Sequence, residues 1–158
     1  MPLELNEGRL DAKKIEDGVW WSLRLEQGPD GVYFDGDPLP CQPPTEQPAV
    51  LIRYVGDGIE FDRALDDARR PYRAEMREKD GRLSPENERK TVAEATARVL
   101  WRGCQGLTIG GQLWKWSEPE AAKLLALREW WKLSDFISRK ARVRSVLEIH
   151  EEAKASGN

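Results

Sequence analysis

The sequence predicts an α+β fold: a small antiparallel β-sheet in residues 1–57, then a bundle of about four helices in residues 58–158 with a short hairpin between them. Three features lead to this expectation. Short β-branched and aromatic runs alternate with Gly, Pro and Asp clusters over the first third of the chain. From Glu60 onward, apolar residues recur at spacings of three and four. A length of 158 residues with 39% apolar content suits a single domain that needs neither disulfides nor a structural metal.

In chain order, Asp17-Gly18 is a turn pair that predicts a hairpin leading into a strand over residues 19–23. Gly28-Pro29-Asp30-Gly31 predicts a second turn before the strand Val32-Tyr33-Phe34. Residues 39–48, with Pro40, Pro43, Pro44 and Pro48, predict an extended loop. The strongest strand signal is residues 49–55, ended by Gly56-Asp57-Gly58.

The helical half opens with residues 60–79. There Phe61, Ala64, Leu65, Ala68 and Tyr72 share a face, and Pro71 should kink or divide the element. Ser84-Pro85-Glu86 combines an N-cap, a first-turn proline and an early acid; the helix it starts is expected to stop at Gly103 and Gly106. Gly110-Gly111 should turn a hairpin between residues 107–109 and 112–114. Ser117 with Glu120 forms a capping box that opens a helix through Leu124 and Leu125. Trp130, Leu133, Phe136, Ile137 and Ala141 mark a further helix, residues 142–155 a last one, and the tail 155–158 is expected to fray.

Charge is unevenly distributed: −6 over residues 1–57, −1 over 58–80 and +4 over 81–158. Such a split can steer a partner or favour head-to-tail self-association, so a homo-oligomer is one expectation, and differing solvated surfaces are the plainer one. No apolar run approaches the roughly 18 residues of a membrane span, and residues 1–10 lack an apolar leader core, which predicts a cytoplasmic location without membrane contact.

Catalytic and metal chemistry find little to work with. Zinc sites need several Cys or His at short spacing, whereas Cys41 and Cys104 are far apart and the single His150 sits among glutamates near the end. The i,i+4 acid pairs Asp62/Asp66 and Glu148/Glu152 are of a kind that helix surfaces carry routinely. There is no phosphate-binding glycine loop and no nucleophile positioned beside a base, so neither enzyme activity nor a cofactor or metal is expected.

Binding residues stand out more. Seven tryptophans occur, largely in adjacent or alternate pairs, and both members of Trp20-Trp21 or Trp130-Trp131 cannot readily face one core. Exposed tryptophan is enriched in interface hot spots, which nominates Trp114, Trp116, Trp130 and Trp131 as partner-binding residues, with partial burial against neighbouring elements the alternative. Arg139, Lys140, Arg142 and Arg144 form a basic patch within six residues. A small nucleic-acid-binding regulator is thereby an alternative, against which stands an overall pI of about 5.4.

The order of motifs in the C-terminal half resembles the tail assembly chaperones of long-tailed bacteriophages. The residues concerned are Thr91-Val92-Ala93-Glu94, Val99-Leu100, Gly106-Leu107, Gly110-Gly111, Trp116 to Ala121, Leu124-Leu125 and Leu133 to Ile137, with Asp17 to Trp20 and Val50 to Tyr54 upstream. Cys104 stands two residues before Gly106, where relatives tend to carry tryptophan. The resemblance implies a helper that binds the tape-measure and tail-tube proteins in the host cytoplasm during tail assembly; Trp114, Trp116, Trp130 and Trp131 are then expected to contact the tape measure, and the 139–144 patch to meet acidic segments of a partner or of the next copy. A structural tail or head-tail connector subunit of the virion is the alternative from the same setting.

Overall fold

The computed structural model describes residues 1, 2, 5 and 9–148. Helix α1 (Ala12–Asp17) leads into β1 (Val19–Ser22), β2 (Arg24–Gly28), β3 (Gly31–Asp35) and β4 (Ala49–Ile52). Helices α2 (Ile59–Arg69), α3 (Arg73–Glu78) and α4 (Pro85–Ala95) follow, then β5 (Trp101–Gln105), β6 (Thr108–Ile109), β7 (Gln112–Leu113), α5 (Glu118–Ala126) and α6 (Trp131–Lys140). The result is a mixed α and β protein with small antiparallel sheets.

Its central sheet has the order β1-β4-β5, and β2–β3 and β6–β7 are separate two-stranded hairpins. Alternation explains β1: Val19 and Trp21 point into the core while Trp20 and Ser22 stay partly exposed. The start of the proline-rich segment runs along the outer edge of β1, where Leu39 donates to the Trp20 carbonyl and Ser22 to that of Asp37. Residues 39–47 beyond it are irregular, as the prolines predict.

The N-cap serines act as expected, while Glu120 meets Lys123 at 3.3 Å and does not reach back to Ser117 to complete a capping box. Ser84 accepts from the Asn87 amide and Ser117 from that of Glu120, each satisfying a helix-start donor. Pro71 divides its segment as expected, with the 3₁₀ turn Arg70–Tyr72 between α2 and α3. Gly110 and Gly111 adopt φ of 60° and 80°, the left-handed pair that a two-residue hairpin turn requires.

The strand expected over residues 49–55 stops at Ile52, and three further expectations are corrected. Asp17-Gly18 turns no hairpin: Asp11 caps the amides of Lys13 and Lys14, so residues 12–17 coil, and Gly18 at φ 87° ends that helix by donating to the Lys14 carbonyl. The helix from Ser84 does not persist to Gly103. It widens into a π-helical turn, Thr96–Leu100, and the chain then becomes β5, because Trp101 is wholly buried and residues 101–105 pair with Ile52 back to Ala49. Residues 142–148 do not form a regular helix but a 3₁₀ turn, Ser145–Leu147, that buries Leu147 and pairs Glu148 with Leu10. The rest of the expected last helix, the frayed tail, His150 and Glu152 lie outside the described residues.

One contiguous core joins the two halves. Val50 and Ile52 from β4 meet Trp101 from β5 and Leu133, Phe136 and Ile137 from α6. Helix α4 is sandwiched between α2 and α5, while β3 packs against α6. Among the described residues, no helix is long and apolar enough to cross a membrane.

Candidate partner-binding groove

The two hairpins and the α5–α6 corner enclose an apolar groove of about 420 Å³. Leu23, between β1 and β2, lines it beside Leu25 and Phe34 of the β2–β3 hairpin, which are cross-strand partners and so project from the same face. Leu107, Ile109, Trp114, Leu124, Trp130 and Leu133 complete the apolar lining. Trp114 is braced from behind by Trp101, whose indole nitrogen donates to the Gly103 carbonyl at 2.9 Å.

Two polar side chains line this groove, Arg24 and Thr108. Arg24 is neutralised locally: it meets Glu26 at 2.6 Å, Asp37 at 2.9 Å and Asp35 at 3.8 Å, and its pKa is raised chiefly by the Glu26 hydrogen bond. With its one cation already paired, the groove offers mainly apolar contact.

Exposed apolar side chains gather on the same elements. Leu25 and Leu113 are each 63% exposed and Trp131 59%, joined by Val32, Tyr33, Ile109 and Leu127. All lie on the two hairpins or the α5–α6 corner. Of these, Leu25 and Ile109 line the groove itself and Tyr33 and Trp131 line a neighbouring hollow; Ile59 on α2 is exposed elsewhere.

The four nominated tryptophans separate. Trp114 and Trp130 line the groove, both half-buried. Trp116 lies outside it under the Arg102 guanidinium, 5.8 Å from the ring centre, with its indole nitrogen buried and unbonded. Trp131 is exposed beside Tyr33, lining a smaller hollow of about 250 Å³ with Asp135 and Arg139. The other adjacent pair divides likewise, Trp21 buried and Trp20 partly open.

The basic patch divides as well. Arg139 pairs with Asp135 at 2.9 Å and reaches the Phe34 carbonyl at 3.4 Å. Lys140 is turned inward, its side chain 17% exposed, pairing with Asp35 at 3.2 Å and lying 5.2 Å from the Trp21 ring centre. Asp35 is held below the usual carboxylate range, first by the Gly36 amide and then by Lys140. Arg142 folds back onto Ser138, and Arg144 is exposed. Two of the four cations thus fasten the β2–β3 hairpin to α6, leaving Arg142 and Arg144 as the outward part of the patch.

No known protein family, curated protein or solved structure matches this chain. The groove is therefore read from its own chemistry.

Of the groove residues, the sequence nominates only Trp114 and Trp130 for binding. Leu23 and Leu25 alternate with Arg24 and Glu26, a period-two signal continuing past Ser22 that marks β2. Leu107 and Ile109 alternate in the same way within the hairpin that was expected. No local signal says that residues of the two hairpins line one groove. The cysteines stay apart, Cys41 exposed and Cys104 half-buried with its thiol pushed up to about 12 by burial. Among the described residues no cluster of His, Cys, Asp or Glu is arranged to hold a metal.

Proposed function

We propose that this chain is a non-catalytic binding protein that covers an apolar segment of another protein in the groove between its hairpins, acting as a tail assembly chaperone toward the tape-measure or tail-tube protein of a long-tailed bacteriophage in the host cytoplasm. One observation carries the reading: an open apolar groove, lined by Trp114 and Trp130 together with the exposed Leu25 and Ile109. Aromatic anchors of this kind dominate protein-binding energetics, and a chaperone exploits many replaceable apolar contacts. The fastening of Arg139 and Lys140 to the hairpin favours a protein partner over nucleic acid, since it reduces the cations free to meet phosphates.

The test is recovery of the tagged chain from infected cells after nuclease treatment, analysed by mass spectrometry beside the composition of purified particles. Co-recovery of tape-measure or tube protein, absence from particles, and a loss of recovery when Trp114, Trp116, Trp130 and Trp131 are changed to alanine without unfolding are the expected results. Presence in purified particles would instead establish a structural tail or connector subunit; recovery with nucleic acid alone, abolished by nuclease, would establish a regulator.

A further inference from the structure

We infer that the groove receives its partner as an extended strand added to the free edge of β2, the segment carrying apolar side chains at every second residue. This rests on the groove being a protein-binding site and specifies the form of its occupant.

Hairpin register carries the argument. In β2–β3 the pairs are Arg24 with Asp35, Leu25 with Phe34, Glu26 with Tyr33 and Gln27 with Val32, closed by Gly28 and Gly31 around a two-residue turn. Residues flanking such a turn exchange hydrogen bonds, and bonded pairs alternate with unbonded ones. The backbone groups of Val32 and Phe34 therefore point away from β2, which is where α6 meets them: Lys132 donates to the Val32 carbonyl and Arg139 to that of Phe34. By the same alternation, the N–H and C=O of Leu25 and Gln27 point away from β3 on the opposite edge.

The two edges differ in one respect. On β3 the outward carbonyls are covered by α6 cations; on β2 the outward groups of Leu25 and Gln27 have no hydrogen-bond partner among the described residues. Leu23, whose N–H already donates to the Pro48 carbonyl just before β2, and the first two consecutive residues of β2, Arg24 and Leu25, line the groove. Because side chains alternate across a strand, consecutive lining residues mean that the strand edge itself fronts the cavity. An added strand would satisfy the edge with its main chain and lower alternate side chains onto Trp114, Trp130 and Leu133, which is how strand addition divides affinity from specificity.

The probe is a soluble nine-residue peptide alternating leucine or valine with threonine between terminal lysines, titrated into the whole chain with tryptophan fluorescence as readout. Two N-methylated versions block alternate amides, one set on each edge of the peptide strand. The set facing β2 is expected to weaken binding by about tenfold and the other set to leave it nearly unchanged, as loss of a few net hydrogen bonds requires. Gln27→Pro removes one outward donor while sparing the hairpin pairs, since edge strands accept proline there, and should weaken binding about fivefold with circular dichroism unchanged.

Equal loss from both methylated sets, or no saturable binding by the alternating peptide, overturns the inference. A helical peptide bearing leucine at three- and four-residue spacing separates the two levels. If it binds and is lost on Trp130→Ala while the alternating peptide does not bind, strand addition fails and the groove stands; if neither peptide binds, the groove reading fails too.

Discussion

Trp114 stacks on Trp101, their ring centres 5.3 Å apart and their planes inclined by 22°. Trp101 is fully buried and comes from the central sheet, whereas Trp114 is half-buried and opens onto the groove. The pair makes the groove wall continuous with the core, so Trp114 has a structural role that Trp131 lacks. Trp101→Ala is expected to cost about 3–5 kcal/mol and Trp114→Ala about 2–3 kcal/mol, and Trp131→Ala under about 0.5 kcal/mol. Urea unfolding with the three variants checks the order; a Trp131 variant as unstable as the Trp114 variant would contradict it.

The acid limb of stability should reflect Asp35 and Glu75. Both carboxyls sit below their ordinary values, Asp35 chiefly through the Gly36 amide and Glu75 chiefly through the Ser84 amide. Folded-state depression means that their stabilisation is present above the ordinary carboxylate pKa of about 4 and is lost as pH falls through the folded values. Thermal midpoints should therefore drop from about pH 4 downward. In Asp35→Asn and Glu75→Gln that drop should be shallower than in the parent chain.

Gln105 should hold the proline-rich loop. Its buried side-chain amide donates to the carbonyls of Pro43, Pro44 and Gln47 at 3.1, 2.7 and 3.1 Å and accepts from Gln42 at 2.9 Å. Gln105→Leu leaves those carbonyls without that donor and should cost about 2–3 kcal/mol. Limited proteolysis should then cut within residues 39–48 at protease levels that leave the parent intact; unchanged resistance would show that the prolines alone hold the loop.

Thiol chemistry should distinguish the two cysteines. Cys41 is exposed, while Cys104 is half-buried with its thiol at about 12. Because the thiolate is the reacting species, iodoacetamide at about pH 8 should modify Cys41 and spare Cys104 in the folded chain, with both modified in denaturant. Peptide mass mapping reads the outcome.

Local chemistry was legible in the chain. Ser84, Ser117, Pro71 and Gly110-Gly111 act where they stand, because a cap, a missing N–H or a left-handed turn depends on residues within about four positions. The same locality misled at Asp17-Gly18, where Asp11, six residues upstream, caps the preceding turn and makes Gly18 a helix end. At Trp101 a helical pattern gave way because pairing with Ile52 and burial of a large ring outweigh weak helix propensity.

The sequence by itself determined the mixed class, the positions of most helix starts and turns, and the surplus of tryptophan, since each follows from short-range periodicity and backbone preference. Only the tertiary structure decided that residues 101–105 complete the central sheet, that Arg139 and Lys140 fasten a hairpin, and that residues of two hairpins some eighty residues apart in the chain line one groove. Those outcomes rest on contacts between distant segments, whose apolar faces are interchangeable in sequence and acquire partners when burial selects one packing from many.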